Sequence, residues 1–388
     1  MSSFLLFVGL VLFIALVVIH EMGHFIVARR NGVVAEEFGI GIPPRIWKKQ
    51  MKNGWKLSLN LLPLGGFVKL KGEHDNDTRP GSFGAATLWV KTKILMAGVF
   101  MNLLAALILF TIIAGAGMPN VITKDNVGED QFTVKSDTRV IKDVSNKDVV
   151  LVGQVEGRSP AEKLGIQPDD RIRSVAGMPI TDSEELRAQT QSHAGQTVDV
   201  AFDHNGQTKQ GSAQLNNTSP YLGVSTYSGA TGVQLRRSTW SAPIVAVGLS
   251  VQVTRLTFKG IGSALKGAGT WAIGALTRNK PASQAGEQAA TQQLSGPLGI
   301  FYVLKAATAE GFIFVLFIIA ILSLTLAIMN ILPIPALDGG RLYLITWYRK
   351  VIRRPLKIHI EERIIGTSFA ALLLLFVLIT IVDFRRFH

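Results

Sequence analysis

Apolar residues along this chain are gathered in blocks before they are periodic. Residues 4–19, 94–117, 312–332 and 367–382 are nearly free of charge. With its flanks, each reaches the roughly 20 residues that a helix needs to cross a hydrocarbon core. Between the second and third blocks the pattern changes. From 146 to 228 short runs such as Val149-Val150-Leu151-Val152 and Thr197-Val198-Asp199-Val200-Ala201-Phe202 predict strands, with Asn205-Gly206 as a turn. Thr181-Asp182-Ser183-Glu184-Glu185-Leu186 predicts a helix start with a cap and an acidic first turn. Residues 36–72 alternate apolar and polar around Trp55-Lys56-Leu57-Ser58-Leu59-Asn60 and end at Leu64-Gly65-Gly66. They predict strands that dip toward the membrane. Residues 235–278 are small and apolar, but Arg236, Arg237, Arg255, Lys259 and Lys266 interrupt them. Cations so spaced suit a helix lying in the membrane interface. Residues 279–293 are polar and read as a linker.

Composition strengthens the membrane reading: 48% of residues are hydrophobic and only 17% are charged, against about a quarter charged in soluble proteins. No basic residue precedes the first block and no small-residue cleavage site follows it, so it is expected to stay in the mature protein. The absence of cysteine excludes disulfides and thiol chemistry. The net charge of +13 is informative by location. Residues 28–93 hold 12 Lys/Arg against 5 Asp/Glu, and residues 341–363 hold 7 against 2. Short basic loops stay cytoplasmic, so the amino terminus and residues 118–293 are expected outside, with about four spans. A fifth crossing within 235–278 would separate the motifs at 20–24 and 330–340 by the membrane. Nucleic-acid binding is not implied, because the basic residues flank spans and form no recognition helix or stacking platform.

The first block runs into His20-Glu21-Met22-Gly23-His24. On a helix, residues four apart share a face, so both imidazoles can hold one metal, with Glu21 beside its open position. A hydrolytic zinc site typically takes three protein ligands and a water. The alternative is a polar helix end snorkelling to the interface, but ionisable groups deep in a membrane run imply a partner. Among the other histidines, His74 lies in the basic loop, His193 and His204 in the external stretch, and His359 and His388 near the far end. Asp338 is the better third ligand, because it returns to the side of His24 just after the third block. It sits in Asn330-Ile331-Leu332-Pro333-Ile334-Pro335-Ala336-Leu337-Asp338-Gly339-Gly340. The prolines break a helix there, and irregular backbone at membrane depth must line a cavity or be buried in protein. A plain aspartate cap on a helix end is the alternative.

Together, His20-Glu21-x-x-His24 and Asn330-x-x-Pro333-x-Pro335-x-Leu337-Asp338-Gly339 resemble the two defining motifs of the site-2 protease family of intramembrane zinc metalloproteases. Ala28-Arg29-Arg30-Asn31-Gly32-Val33, Leu62-Pro63-Leu64-Gly65-Gly66-Phe67-Val68-Lys69 and Leu294-Ser295-Gly296-Pro297 resemble its bacterial branch, to which the regulator of sigma-E protease belongs. The resemblance implies one Zn2+ per chain on His20, His24 and Asp338, with Glu21 as catalytic base. Asn330, Pro333 and Pro335 would be substrate-binding elements, Gly65 and Gly66 would belong to a strand that pairs with unwound substrate, and Asn102 would be a further contact. Asn102 ends Gly98-Val99-Phe100-Met101-Asn102, where Val99 replaces the family's proline. Ser159-Pro160-Ala161-Glu162-Lys163-Leu164-Gly165-Ile166 resembles a PDZ core, present once here and twice in the sigma-E protease.

The expected fold is therefore a multi-pass α-helical membrane protein with a cytoplasm-side β-rich, membrane-associated loop and one extracytoplasmic α+β PDZ domain. The expected segments are a first span (1–27), the basic loop (28–93), a second span (94–117), and an outer region (118–234) holding the PDZ unit at about 146–228. Interfacial helices and a linker (235–293), a third span (294–340), a second basic loop (341–364), and the fourth span with its tail (365–388) follow. Substrates would be single-span membrane proteins pre-trimmed by another protease, met in a bacterial cytoplasmic membrane whose lipid is the other partner. A metal-ion transporter and a PDZ scaffold on an inert anchor are the competing readings.

Overall fold

The computed structural model describes residues 2–123, 127–142, 150–157, 159–168, 170–204, 207–228, 234–277, 279 and 296–387. The chain divides into two compact units. The larger contains residues 1–118, 123–138 and 237–388. Helices α1 (Ser2–Arg30), α2 (Leu88–Ala116) and α7 (Phe312–Ile331) form its centre, with the shorter α6 (Pro297–Glu310) against α1 and α7. These segments are apolar around most of their circumference, as expected where lipid replaces water on the outer side. Leu16, Leu304, Val315 and Ile319 fill one end of the bundle, and Phe110 meets Phe317 edge-to-face at 5.8 Å between α2 and α7. Ala28, Val33, Phe83, Ile94 and Ile345 fill the other.

The hairpin β1 (Ala35–Gln50) and β2 (Lys56–Leu70) is more folded than a simple ribbon. Residues 37–40 pair with 56–59 on one side and 66–69 on the other, while 45–50 pair with the far side of 56–60. This gives a small sheet in which 66–69 form an edge. Gly41, at φ +83°, turns β1 where a side chain would meet the Leu62 carbonyl, and Asn60 donates to the carbonyls of Ile40 and Gly41. Ile42, Ile46, Trp47, Leu61 and Leu62 are exposed beside Lys48 and Lys49, which matches a surface resting against lipid headgroups.

After α7, the chain leaves helical geometry at Leu332, passes Pro333 and Pro335, and re-enters a helix at α8 (Asp338–Trp347), extended by a π-helical turn (Tyr348–Ile352). The last helix, α9 (Ile358–Phe387), is anchored near its ends. Glu361 accepts from Arg341 and from the Asp75 backbone N–H, and Asp383 accepts from the backbone N–H groups of Gly296 and Gly299, capping α6.

Helix α5 (Ala242–Leu276) packs on α2 and, less extensively, on α7. Residues 129–137 run along its first turns. Asp137 accepts from Thr239 and Ser241, Gln252 donates to the Asp130 carbonyl and accepts from Phe132 N–H, and Arg255 pairs with Glu129.

Among the described residues, five helices are long and apolar enough to cross a membrane: Ser3–Arg30, Leu88–Ala116, Ala242–Gly274, Phe312–Ile331 and Ile358–Ile381. This is one more than the sequence blocks suggest. The additional one is α5, whose 35 residues form one continuous helix because its one proline, Pro243, falls in the first turn, where no helical N–H bond is lost.

The smaller unit contains residues 119–122 and 139–236. Its antiparallel strands are β3 (Val150–Val155), β4 (Arg171–Val175), β5 (Met178–Pro179), β6 (Thr197–His204), β7 (Gln207–Gln214) and β8 (Val224–Ser228). They are ordered β8-β3-β4-β6-β7, with β5 on β4. Helix α4 (Ser183–Ser192) begins where the sequence predicts, with Asp182 accepting from Glu185 N–H, and α3 (Pro160–Lys163) is capped in the same way by Ser159, which accepts from Glu162 N–H. Val152, Ile172, Val200 and Phe202 form the core. The expected turn at Asn205-Gly206, the strand start at Val149, and the linker from Lys280 to Gln293 lie outside the described residues.

Candidate metal centre

His20 and His24 lie one turn apart on α1, and Asp338 opens α8. The proline-broken stretch between α7 and α8 turns the aspartate toward α1. His20 Nε2 lies 3.0 Å from Asp338 Oδ2, His24 Nε2 lies 3.2 Å from the same oxygen, and the two Nε2 atoms are 3.2 Å apart. Among the described residues, this is the group of His, Asp and Glu able to hold a metal ion. Tetrahedral zinc with bonds of about 2.0–2.2 Å separates neighbouring donors by about 3.3–3.6 Å. The observed triangle is within a few tenths of an ångström of that.

The remaining ring nitrogens also fit. His24 Nδ1 donates to the Ile94 carbonyl at 2.7 Å, leaving Nε2 as the lone-pair donor. His20 Nδ1 lies 3.2 Å from the side-chain amide nitrogen of Asn102, while the Asn102 Oδ1 is buried without a partner. Amide oxygen and nitrogen are exchanged readily in assignment. Turning the amide over satisfies the orphaned oxygen and lets it accept from His20 Nδ1–H. In that arrangement Asn102 supports the His20 ring. It is 1% exposed, behind the imidazole, and its own carbonyl accepts from Ser323 of α7 at 2.8 Å.

Gly98 makes this packing possible. A Cβ there would stand 2.5 Å from His20 Cε1 and from His24 Nε2. Gly23 plays a similar part, because its Cβ would fall 2.6 Å from the Ala97 carbonyl. Ile94, Gly98 and Asn102 repeat every four residues on one face of α2, the signal that would have nominated all three.

Glu21 is half-buried, and the Val68 backbone of β2 offers it a hydrogen bond. Gly66 leaves room for it, since a Cβ would lie 3.2 Å from Glu21 Cγ. Gly65, at φ +118°, bends the strand toward Ile42. A cavity of about 130 Å³ lies here, lined by Glu21, His24, Val68, Asp338 and Arg341 among others. Of the remaining expected residues, Asn330 is half-buried and donates to the Leu326 carbonyl, Pro335 is half-buried and Pro333 is exposed. None of these three contributes a donor to the triangle.

A histidine pair, a glutamate and a distant aspartate converging among apolar helices define the class: a metallopeptidase whose site lies within the membrane. The chain belongs to peptidase family M50, the family of the site-2 proteases, whose profile matches residues 8–375. It is 29% identical to a "Putative zinc metalloprotease" of Clostridium perfringens over 97% of both chains. It is 24% identical to the zinc metalloprotease RasP of Shouchella clausii over 100% of this chain and 99% of the relative. The solved PDZ domain of an SdrC-like protein from Listeria monocytogenes aligns with 20% of this chain and 87% of its own, at 23% identity and a TM-score of 0.19. The protein is thus an integral membrane enzyme, an intramembrane zinc metalloprotease acting on membrane proteins. The transporter and inert-anchor readings fall with that membership.

Proposed function

We propose that His20, His24 and Asp338 hold one zinc ion and that Glu21 is the general base, cleaving peptide bonds within transmembrane segments of single-span proteins. The observation that carries this is the donor triangle of 3.0–3.2 Å on α1 and α8, with Glu21 beside it under the β2 edge. Zinc held there would polarise the scissile carbonyl and lower the pKa of an attacking water to about 7. Glu21 accepts the proton from that water and returns it to the leaving amine. Peptide bonds in a membrane helix are hydrogen-bonded internally and must be unwound before attack. The free edge of residues 66–69 offers backbone partners to an unwound strand, with Gly65 and Gly66 keeping that edge close to Glu21. Asn330, Pro333 and Pro335 would meet substrate from the α7–α8 break. Glu21→Gln tests the assignment: zinc content should stay at one per chain while cleavage of a model membrane substrate falls about 10²–10⁴-fold. Cleavage at the wild-type rate would remove Glu21 from the chemistry.

The proposed setting is a bacterial cytoplasmic membrane with the amino terminus and the smaller unit outside. The positive-inside argument supports that orientation. In this reading α5 lies in the outer interface. Glu129, Asp130 and Asp137 accompany it from Ser241 to Arg255, and hydrocarbon does not accommodate such a strip. Single cysteines at Ser212 and Thr277, labelled with an impermeant maleimide, separate the cases: labelling of position 277 only from the cytoplasm would make α5 a span.

The smaller unit is read as a PDZ domain. A groove of about 460 Å³ lies between α4 and the edge strand β8, lined by Leu186, Arg187, Thr190, Tyr221, Leu222 and Val224 among others. An extended segment can add to β8 there, so this unit would select substrates already trimmed by another protease.

A further inference from the structure

On the face of the α1–α2 pair turned away from α7 lies a second cavity, of about 520 Å³. Its body is apolar, formed by Ile26 and Val27 of α1 with Met96, Phe100 and Met101 of α2. Its floor is closed. Gly23 and Ala97 touch so tightly that no Cβ fits between them, so the groove gives no passage to His24 and is no route for substrate. Phe100 stands 62% exposed at its rim.

One end is different. Arg30 and Lys93 both line the groove there and both are exposed. The helices are antiparallel, and each cation lies seven residues, about 10 Å, from Gly23 or Phe100 at the other end. Neither forms an ion pair with a described residue, whereas the neighbouring Arg29 stacks on Phe25. Lys93 stands 5.4 Å from the ring centroid of Trp89, itself 67% exposed. An exposed indole under a lysine, with an arginine lining the same groove, is the signature of the headgroup level of a bilayer. The volume lies within the range of about 300–1,000 Å³ typical of ligand sites.

We infer that this groove is a binding site for one anionic glycerophospholipid, its acyl chain along Met96 and Phe100 and its phosphate between Arg30 and Lys93. Charge complementarity selects the occupant. A substrate helix or a second copy of this chain has no phosphate to offer two unpaired cations, and a zwitterionic lipid carries its own counter-charge next to it. A lipid held there would brace the α1–α2 contact that carries His24 and Gly98, from the outer side of the bundle.

The test is native mass spectrometry of the purified full-length protein, titrated with phosphatidylglycerol or phosphatidylcholine of matched chains. One phosphatidylglycerol should bind at least fivefold more tightly than phosphatidylcholine. The double variant R30A/K93A should lose that preference, while Arg30→Lys with Lys93→Arg should keep it. Zinc content and thermal unfolding of each variant report folding independently. A photo-crosslinking residue at Phe100 in membranes should yield a phospholipid adduct. Equal binding of the two lipids, or an unchanged preference in R30A/K93A, would overturn the site. So would a crosslink to another polypeptide, which would make the groove a protein-docking surface.

Discussion

At the scale of single residues, the metal centre depends on absences as much as on ligands. Gly98 has no side chain where both imidazoles pass, so Gly98→Ala is expected to abolish zinc binding with every donor intact; elemental analysis of the purified variant reads this directly. Asn102 acts from behind. Asn102→Ala should weaken zinc affinity about 10–100-fold, as loss of a hydrogen-bonded support to a ligand typically does, while Asn102→Asp, which keeps an acceptor for His20 Nδ1–H, should restore most of it. Competition with a calibrated chelator measures both. His20, Glu21 and His24 are legible in the sequence because helical spacing alone puts them on one turn. Ile94, Gly98 and Asn102 are legible only as one four-residue face of α2; their roles exist only once α2 lies against α1, and no local pattern states that register. Asp338 stands between these cases. Two prolines and two glycines mark its segment as irregular, but only the folded chain brings it 3.0 Å from His20.

At the scale of elements, the loop after β2 is tied down by charges that no hydrophobic pattern reveals. Asp75 is buried and pairs with the fully buried Lys91 of α2 and with Arg349 at 3.0 Å, and it accepts from Leu356 N–H. These partners are spread across 281 positions of sequence, too far apart for spacing arguments. Burial alone pushes the Asp75 carboxyl up, but the hydrogen bonds from Arg349 and Lys91 outweigh it and hold the group below the usual carboxylate range. The sign follows. A carboxyl with a depressed folded pKa contributes its full stability above its unfolded value of about 3.9 and loses it as pH falls further. Thermal unfolding in detergent should therefore show an acid limb below about pH 4 that is reduced in Asp75→Asn. Asp75→Ala should cost about 3–5 kcal/mol at neutral pH, because it strands Lys91 in the interior. The helix α5 illustrates the opposite limit of legibility. Its three spaced cations, Arg255, Lys259 and Lys266, argue for the interface, its length and hydropathy argue for a span, and the polar strip laid along it by residues 129–137 supports the first.

At the scale of the whole molecule, the proposed function places chemistry and selection in different units. None of the donors lies within residues 139–236. Removing that segment is expected to leave zinc content unchanged while altering which substrates are cut, chiefly by admitting untrimmed ones. Comparing cleavage of a full-length and an ectodomain-trimmed substrate reads the effect. Silence toward the trimmed substrate with zinc retained would make the unit a required docking module instead. The wide sequence separation of the donors has a consequence for biogenesis. His20 and Asp338 are 318 positions apart, so the first helix enters the bilayer long before the aspartate has been synthesised. Until then, the nascent protein carries two imidazoles and a base but no complete cage. On the proposed ligand set, a hydrolase made in the same bilayer as its prey would be kept harmless through most of its own translation, and a chain arrested before residue 338 should hold no zinc and cut nothing.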